Sequence, residues 1–145
     1  MVEVMVAASI TIIIALGTLC YQYYGVKHSR ASQAQVTATR IGQLLLEDWK
    51  STGGDPDYDP LALDLGFASP VPANPGHFLI TLDNQTFYIQ LAQQLVPIPN
   101  NPDPVNGVTL NQLNVTVKWR LDYGLGATTA GDPEVSLTTY VRRDG

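Results

Sequence analysis

Three carboxylates recur at every second residue in Asp55-Pro56-Asp57-Tyr58-Asp59. That spacing lets side-chain oxygens converge on a hard cation such as calcium. Pro60 stands where a calcium loop of the EF-hand type needs glycine, and Gly66 stands where it needs a bidentate Glu, so that loop type is excluded. The segment reads as a solvated acidic loop, with an irregular calcium site at Asp55, Asp57 and Asp59 as the alternative. The expectation is no metal and no cofactor. His28 and His77 are the only histidines, and their positions offer no three-ligand site. His28 reads as part of a basic collar with Lys27 and Arg30, and His77 as a turn residue. Cys20 is the single cysteine, which excludes an intrachain disulfide and a cysteine metal cluster; it reads as a small buried apolar residue. The chain has no Gly-x-Ser-x-Gly, P-loop, dinucleotide fingerprint or haem-attachment motif. Nothing pairs a nucleophile with a base, so the expectation is a protein that is not an enzyme. Asn84-Gln85-Thr86 and Asn114-Val115-Thr116 match the N-glycosylation sequon, a pattern frequent by chance, and Asn114 falls in an expected strand.

The one isolated acid in an apolar setting is Glu3. From Val4 to Tyr24 there are 21 residues without formal charge. As a helix, that run covers about 30 Å, the thickness of a bilayer core. A secretory signal would have a basic start, a shorter apolar run and a small-residue cleavage site; this run opens Met1-Val2-Glu3 and is too long. A single-pass anchor fits the length but leaves Glu3 unexplained. A carboxylate beside hydrocarbon is costly unless paired, which makes it a functional candidate. The plain alternative is a helix-start acid complementing the dipole. A better partner is a free α-amino group on a neighbouring chain, because pairing neutralises both charges together.

The run Met1-Val2-Glu3-Val4-Met5-Val6-Ala7-Ala8-Ser9-Ile10 resembles the start of type IV pilins and type II secretion pseudopilins. In that family a leader is cut before a Phe, the new N-terminus is methylated, and a run of the type F-T-L-[IV]-E-V-[ML]-[VI]-A follows. Its Glu maps onto Glu3. The family's run then begins two residues before Met1, and the Gly-Phe cleavage site is not in the sequence. The start is therefore truncated or misassigned, or the mature end differs from the family's, and leader cleavage and N-methylation stay open. Tyr21-Gln22-Tyr23-Tyr24 ends the apolar run, as tyrosines do at membrane boundaries, and a similar Tyr-rich stretch occurs there in the family. Gly17 and the run Ile10-Thr11-Ile12-Ile13-Ile14 weaken intrinsic helicity, Gly by about 1 kcal/mol against Ala. Gly17 has two readings: close helix packing, or, as the resemblance implies, local melting around Ile10–Gly17 on assembly.

The resemblance implies a structural subunit of an extracellular type IV pilus-like filament. Its helices bundle, and Glu3 pairs with the N-terminal amine of a neighbour's Met1. The implied partners are further copies in a helical homo-oligomer, the inner membrane before assembly, and a pilus or secretion assembly machinery. A minor pilin or pseudopilin, and a membrane-tethered binding module acting singly, are the alternatives. Some secretion pseudopilins hold calcium in the head, which bears on Asp55, Asp57 and Asp59. Lys27, His28 and Arg30, taken alone, favour a cytoplasmic C-terminal side; the resemblance implies a head outside, with a basic leader outweighing the collar.

The positioning elements follow from periodicity. Ala31, Ala34, Ala38, Ile41, Leu45 and Trp49 step by three or four residues, an apolar stripe of helical period. Arg30, Gln33, Gln35, Thr39, Arg40 and Gln43 fill the other faces. The helix is expected to continue to about Trp49 and stop at Ser51-Thr52-Gly53-Gly54, a rod of roughly 70 Å. Ala34, Ala38, Ile41, Leu45 and Trp49 are the expected helix–head packing residues. Phe78–Leu82 and Thr86–Leu91 flank a turn at Asp83-Asn84-Gln85 and read as a hairpin. Leu113–Leu121 alternates with period two, Val135–Val141 less cleanly, and the two resemble the last hairpin of pilin-like heads. Asp55–Asn74, Pro97–Pro104 and Tyr123–Asp132 read as connectors.

The expected fold is α+β: a long N-terminal helix packed on a roughly four-stranded antiparallel sheet. Its expected parts are 1–25 (apolar core helix), 26–50 (amphipathic continuation) and 51–145 (head). Charged residues are 14% of the 145, against roughly 25% in soluble proteins, so uncharged polar residues, Gly and Pro supply the difference. Residues 1–50 carry net charge +1 and residues 51–145 carry −6. An acidic C-terminal part argues against nucleic acid, which needs clustered cations.

Overall fold

The computed structural model describes residues 2–70, 75–96, 109–120 and 131–143. Its elements are α1 (Val2–Ser51), a 3₁₀ turn (Pro60–Leu63), β1 (His77–Leu82), β2 (Gln85–Val96), β3 (Thr109–Trp119) and β4 (Glu134–Arg143). The sheet is an antiparallel meander in the order β1-β2-β3-β4. This is an α+β arrangement. The chain divides into two compact units, 1–34 and 35–145, so the division falls inside α1.

In the second unit, the end of α1 lies on one sheet face. Ala38, Ile41, Leu45, Leu46 and Trp49 are buried, as are Phe87, Ile89, Leu113, Val115, Val117, Trp119 and Val141 from the sheet. Successive strand side chains alternate between faces, and β3 buries every second residue from Asn111 to Trp119. The polar partners of the other face bond across strands. Lys118 Nζ lies 2.8 Å from Glu134 Oε2, and Ser136 Oγ donates to Asn114 Oδ1 at 2.8 Å. Helix and sheet approach closely at Gly42: a Cβ there would lie 2.8 Å from Leu137 Cδ1.

The C-terminus of α1 is capped by its glycines. Gly54 N–H donates to the Trp49 carbonyl and Gly53 N–H to the Lys50 carbonyl, both at 3.0 Å. That pair of bonds is the Schellman arrangement, which requires a left-handed residue at the first position past the cap. Gly53 supplies it with φ +73°.

Several sequence expectations shift. The hairpin turn is Asp83-Asn84 alone, with φ of 50° and 63°, as a two-residue type I′ turn requires; Gln85 already pairs with Leu82. His77 is not a turn residue but opens β1 opposite Gln90, the turn being supplied by Pro75-Gly76. Ala31 is half-buried rather than part of the buried stripe. The connector after α1 is not structureless: Asp59 caps the 3₁₀ turn, and Ala68 bridges to Leu79. The connector Pro97–Pro104, Leu121 and most of Tyr123–Asp132 lie outside the described residues.

Candidate functional site

The first part of α1 presents an apolar surface to its surroundings. Val2, Val4, Met5, Val6, Ile10, Ile12, Ile13, Ile14, Leu16 and Leu19 are all more than half exposed. The helix contains an 18-residue window of mean hydropathy 2.2, none of it buried. It is long and apolar enough to cross a membrane. Ile10 to Gly17 is helical throughout in the single chain, and nothing lies within 4 Å of a Cβ built at Gly17.

The polar side chains within this run are neutralised locally. Ser9 Oγ donates to the Met5 carbonyl at 2.8 Å, Thr11 Oγ1 to Ala7 at 2.8 Å, and Thr18 Oγ1 to Ile14 at 2.9 Å. A hydroxyl left without a partner in an apolar medium costs several kcal/mol. Each of these three donors is satisfied by its own helix, so the surface can enter lipid or a helix bundle without unpaired hydroxyl donors. Glu3 is the acid of the first helical turn and is exposed. Met1 lies outside the described residues. Cys20 is exposed on the same helix, not buried as expected, because no other part of the single chain covers this run. Tyr21, Tyr23 and Tyr24 end the run, and Lys27, His28 and Arg30 follow, all exposed.

Ala34 is 3% exposed. Further along, Trp49 Nε1 donates to the Asp55 carbonyl at 2.8 Å, and its ring stacks on Tyr58 at 5.5 Å. This junction was not foreseen. The available signal was an aromatic residue within a Pro- and Asp-rich loop just past a helix-end tryptophan. The Tyr58 hydroxyl is buried with no hydrogen-bond partner within 3.5 Å. Burial first, and then the nearby Asp48 carboxylate and the charge of Asp59, push its ionisation well above the usual phenol range.

The acidic loop resolves into local structure. Asp55 Oδ1 accepts from the Asp57 backbone N–H at 3.1 Å, and Asp59 Oδ1 accepts from Leu61 N–H at 2.9 Å. These are turn and cap contacts of the kind Asp makes in place of regular structure. Among the described residues, no group of three His, Cys, Asp or Glu side chains is placed to hold a metal. A shallow open groove on α1 is lined by Arg40, Gln43, Leu44, Glu47, Asp48 and Ser51, and the Ser51 hydroxyl donates to the Asp48 backbone carbonyl at 2.7 Å. Asn84 sits exposed at the tip of the β1–β2 hairpin, whereas the Asn114 side chain is engaged by Ser136. No family model, curated protein or solved structure matches the chain.

Proposed function

We propose that the chain is the structural subunit of an extracellular type IV pilus-like filament, held in the inner membrane as a precursor and assembled by bundling of its N-terminal helices. The observation that carries the reading is the uncovered apolar run of α1, which opens on a single acid, Glu3, and has its hydroxyls satisfied internally. Lipid or copies of the same helix both meet the needs of that surface. Moving from one to the other exchanges one apolar environment for another, at little net hydrophobic cost. Glu3 pairs with a neighbour's terminal amine and sets the axial register. An assembly machinery performs the transfer.

The test is electron microscopy of material sheared from cells, with labelling of the head. Filaments labelled along their length are expected from the wild type, and none from Glu3→Ala with the protein still in the membrane. Normal filaments from Glu3→Ala refute the Glu3 role. Label confined to filament tips assigns a minor pilin or pseudopilin. Head protein that stays in the membrane fraction without filaments assigns a tethered binding module.

A further inference from the structure

The second unit leaves one face of α1 uncovered. Ala38, Ile41, Leu45 and Trp49 are buried against the sheet, while Val36, Arg40, Gln43, Leu44 and Glu47 are exposed on the other side. Val36 and Leu44 are 49% and 43% exposed, so this face offers apolar contact beside its charges. Arg40 and Glu47 stand seven residues apart. That is two helical turns less about 20°, so both side chains leave the same side of the helix. They are also about 10.5 Å apart along the axis, beyond the three- or four-residue spacing at which helical side chains pair. The residues at that spacing from Arg40 are Val36, Thr37, Gln43 and Leu44, none of them acidic. Among the described residues, no ion pair joins Arg40 or Glu47 to another side chain. The pattern is complementary to itself and not to a partner of one charge sign. Two copies in register would set Arg40 against Arg40 and Glu47 against Glu47. Displaced by seven residues, about 10.5 Å, Arg40 of one copy comes level with Glu47 of the next. Each pairing leaves one Arg40 and one Glu47 for the copies beyond, which makes the contact heterologous and able to extend as an open polymer.

We infer that this face of α1 binds a second copy of the chain, displaced along the helix axis by about 10.5 Å, with Arg40 of one copy paired to Glu47 of the next. The inference rests on the filament reading and adds to it a contact outside the apolar run. A helical polymer gives each subunit several neighbours at different axial offsets, so Glu3 and this face meet different copies. An exposed ion pair is weak by itself, whereas like charges brought together at an interface are heavily penalised. Charge reversal therefore reads this contact more clearly than charge removal.

The test uses the full chain in cells. Arg40→Glu and Glu47→Arg should each lower the yield of sheared filaments at least about tenfold, with the amount of chain in the membrane unchanged. The double variant R40E/E47R should restore the yield. A second measurement does not depend on filaments: Arg40→Lys keeps the charge and supplies an amine, which carbodiimide joins to a carboxylate without a spacer. A covalent dimer whose peptide map links positions 40 and 47 is expected, and adding Glu47→Gln should abolish that link. Single reversals that assemble like the wild type overturn the inference, as does a double variant that assembles no better than the singles. Filaments without the linked dimer refute this inference alone. The linked dimer in membranes that yield no filaments refutes the filament reading alone, and the absence of both refutes both.

Discussion

Gly42 gives the sharpest test of how α1 meets the sheet. Replacing Gly by Ala inside a helix gains about 1 kcal/mol from backbone propensity. Against this, the new Cβ would lie 2.8 Å from Leu137 Cδ1, 3.6 Å from Leu137 Cγ and 3.7 Å from Val117 Cγ2. Ordinary carbon contacts are about 3.5–4.0 Å, so Cδ1 alone must yield, by roughly 1 Å. It is the free end of a half-buried leucine on the edge strand β4, and it can rotate away. The two effects nearly offset, and Gly42→Ala should fall within about 0.5 kcal/mol of the wild type. Gly42→Val adds two methyl groups beyond Cβ and must also displace buried Val117. Overpacking of that kind costs about 1–3 kcal/mol. The assay is urea unfolding of the full chain in detergent micelles, followed by tryptophan fluorescence. Trp49 and Trp119 are the only tryptophans and both are 3% exposed, so the signal reports this core. Gly42→Val should lower the midpoint by about 1 M, for a slope of about 1–3 kcal/mol per molar. A Val variant as stable as the wild type would refute the close approach, and an Ala variant that loses more than about 2 kcal/mol would refute the yielding of Leu137.

Gly53→Ala should cost about 1 kcal/mol in the same assay, because φ there is +73° while open space surrounds the added methyl, leaving the backbone as the sole cause. Tyr58→Phe should change stability by less than about 1 kcal/mol near pH 7, since the buried hydroxyl it removes has no acceptor within 3.5 Å and only a weak hydrogen bond to the Asp48 carboxylate beyond that. In the wild type the unfolded phenol ionises near pH 10 while the folded one resists; stability is then full below that pH and falls as pH rises above it, and unfolding curves of Tyr58→Phe should show a shallower fall. A double-mutant cycle on Lys118 and Glu134, whose side chains are 31% and 51% exposed, should give under about 1 kcal/mol and shrink with salt.

Period was the legible part of the fold. The strict alternation of β3 and the three-to-four step of the α1 stripe both follow from which residues must leave water. The stripe proved wider than read, because Gly42 and Leu46 are buried beside Ile41 and Leu45; a broad sheet covers more of a helix than a single ridge does. β2 runs on past Leu91 through Ala92, Gln93 and Gln94, whose types do not announce a strand. They are held there by ladder pairing to β3, Ala92 opposite Asn114 and Gln94 opposite Gln112. Such a partner is remote in sequence, and local propensity is weak beside it. Asp55 and Asp59 were legible as oxygen donors but not as to what they accept. They accept the backbone N–H groups of Asp57 and Leu61, contacts that exist only once the loop is folded. Of the candidate site, the apolar helix and its acid were readable from residue type alone. The internal satisfaction of Ser9, Thr11 and Thr18 needed the helix itself.

Those hydroxyls and the exposed aliphatic side chains together define what the first unit requires. Eleven large aliphatic residues from Val2 to Val26 are 53% to 75% exposed. At about 1–2 kcal/mol for each such side chain, leaving them in water forfeits on the order of 10–20 kcal/mol. A folded domain is stable by only about 5–15 kcal/mol, so water is not a tolerable surrounding for this helix. Any apolar surrounding recovers nearly the same energy, and the hydrophobic term therefore cannot choose between lipid and neighbouring helices. The choice falls to terms that differ between the two: side-chain packing, lost lipid contacts and the partner found by Glu3. If the proposed filament forms, Glu3→Ala should abolish assembly in every lipid, and filaments from that variant in any bilayer would remove Glu3 from the terms that choose.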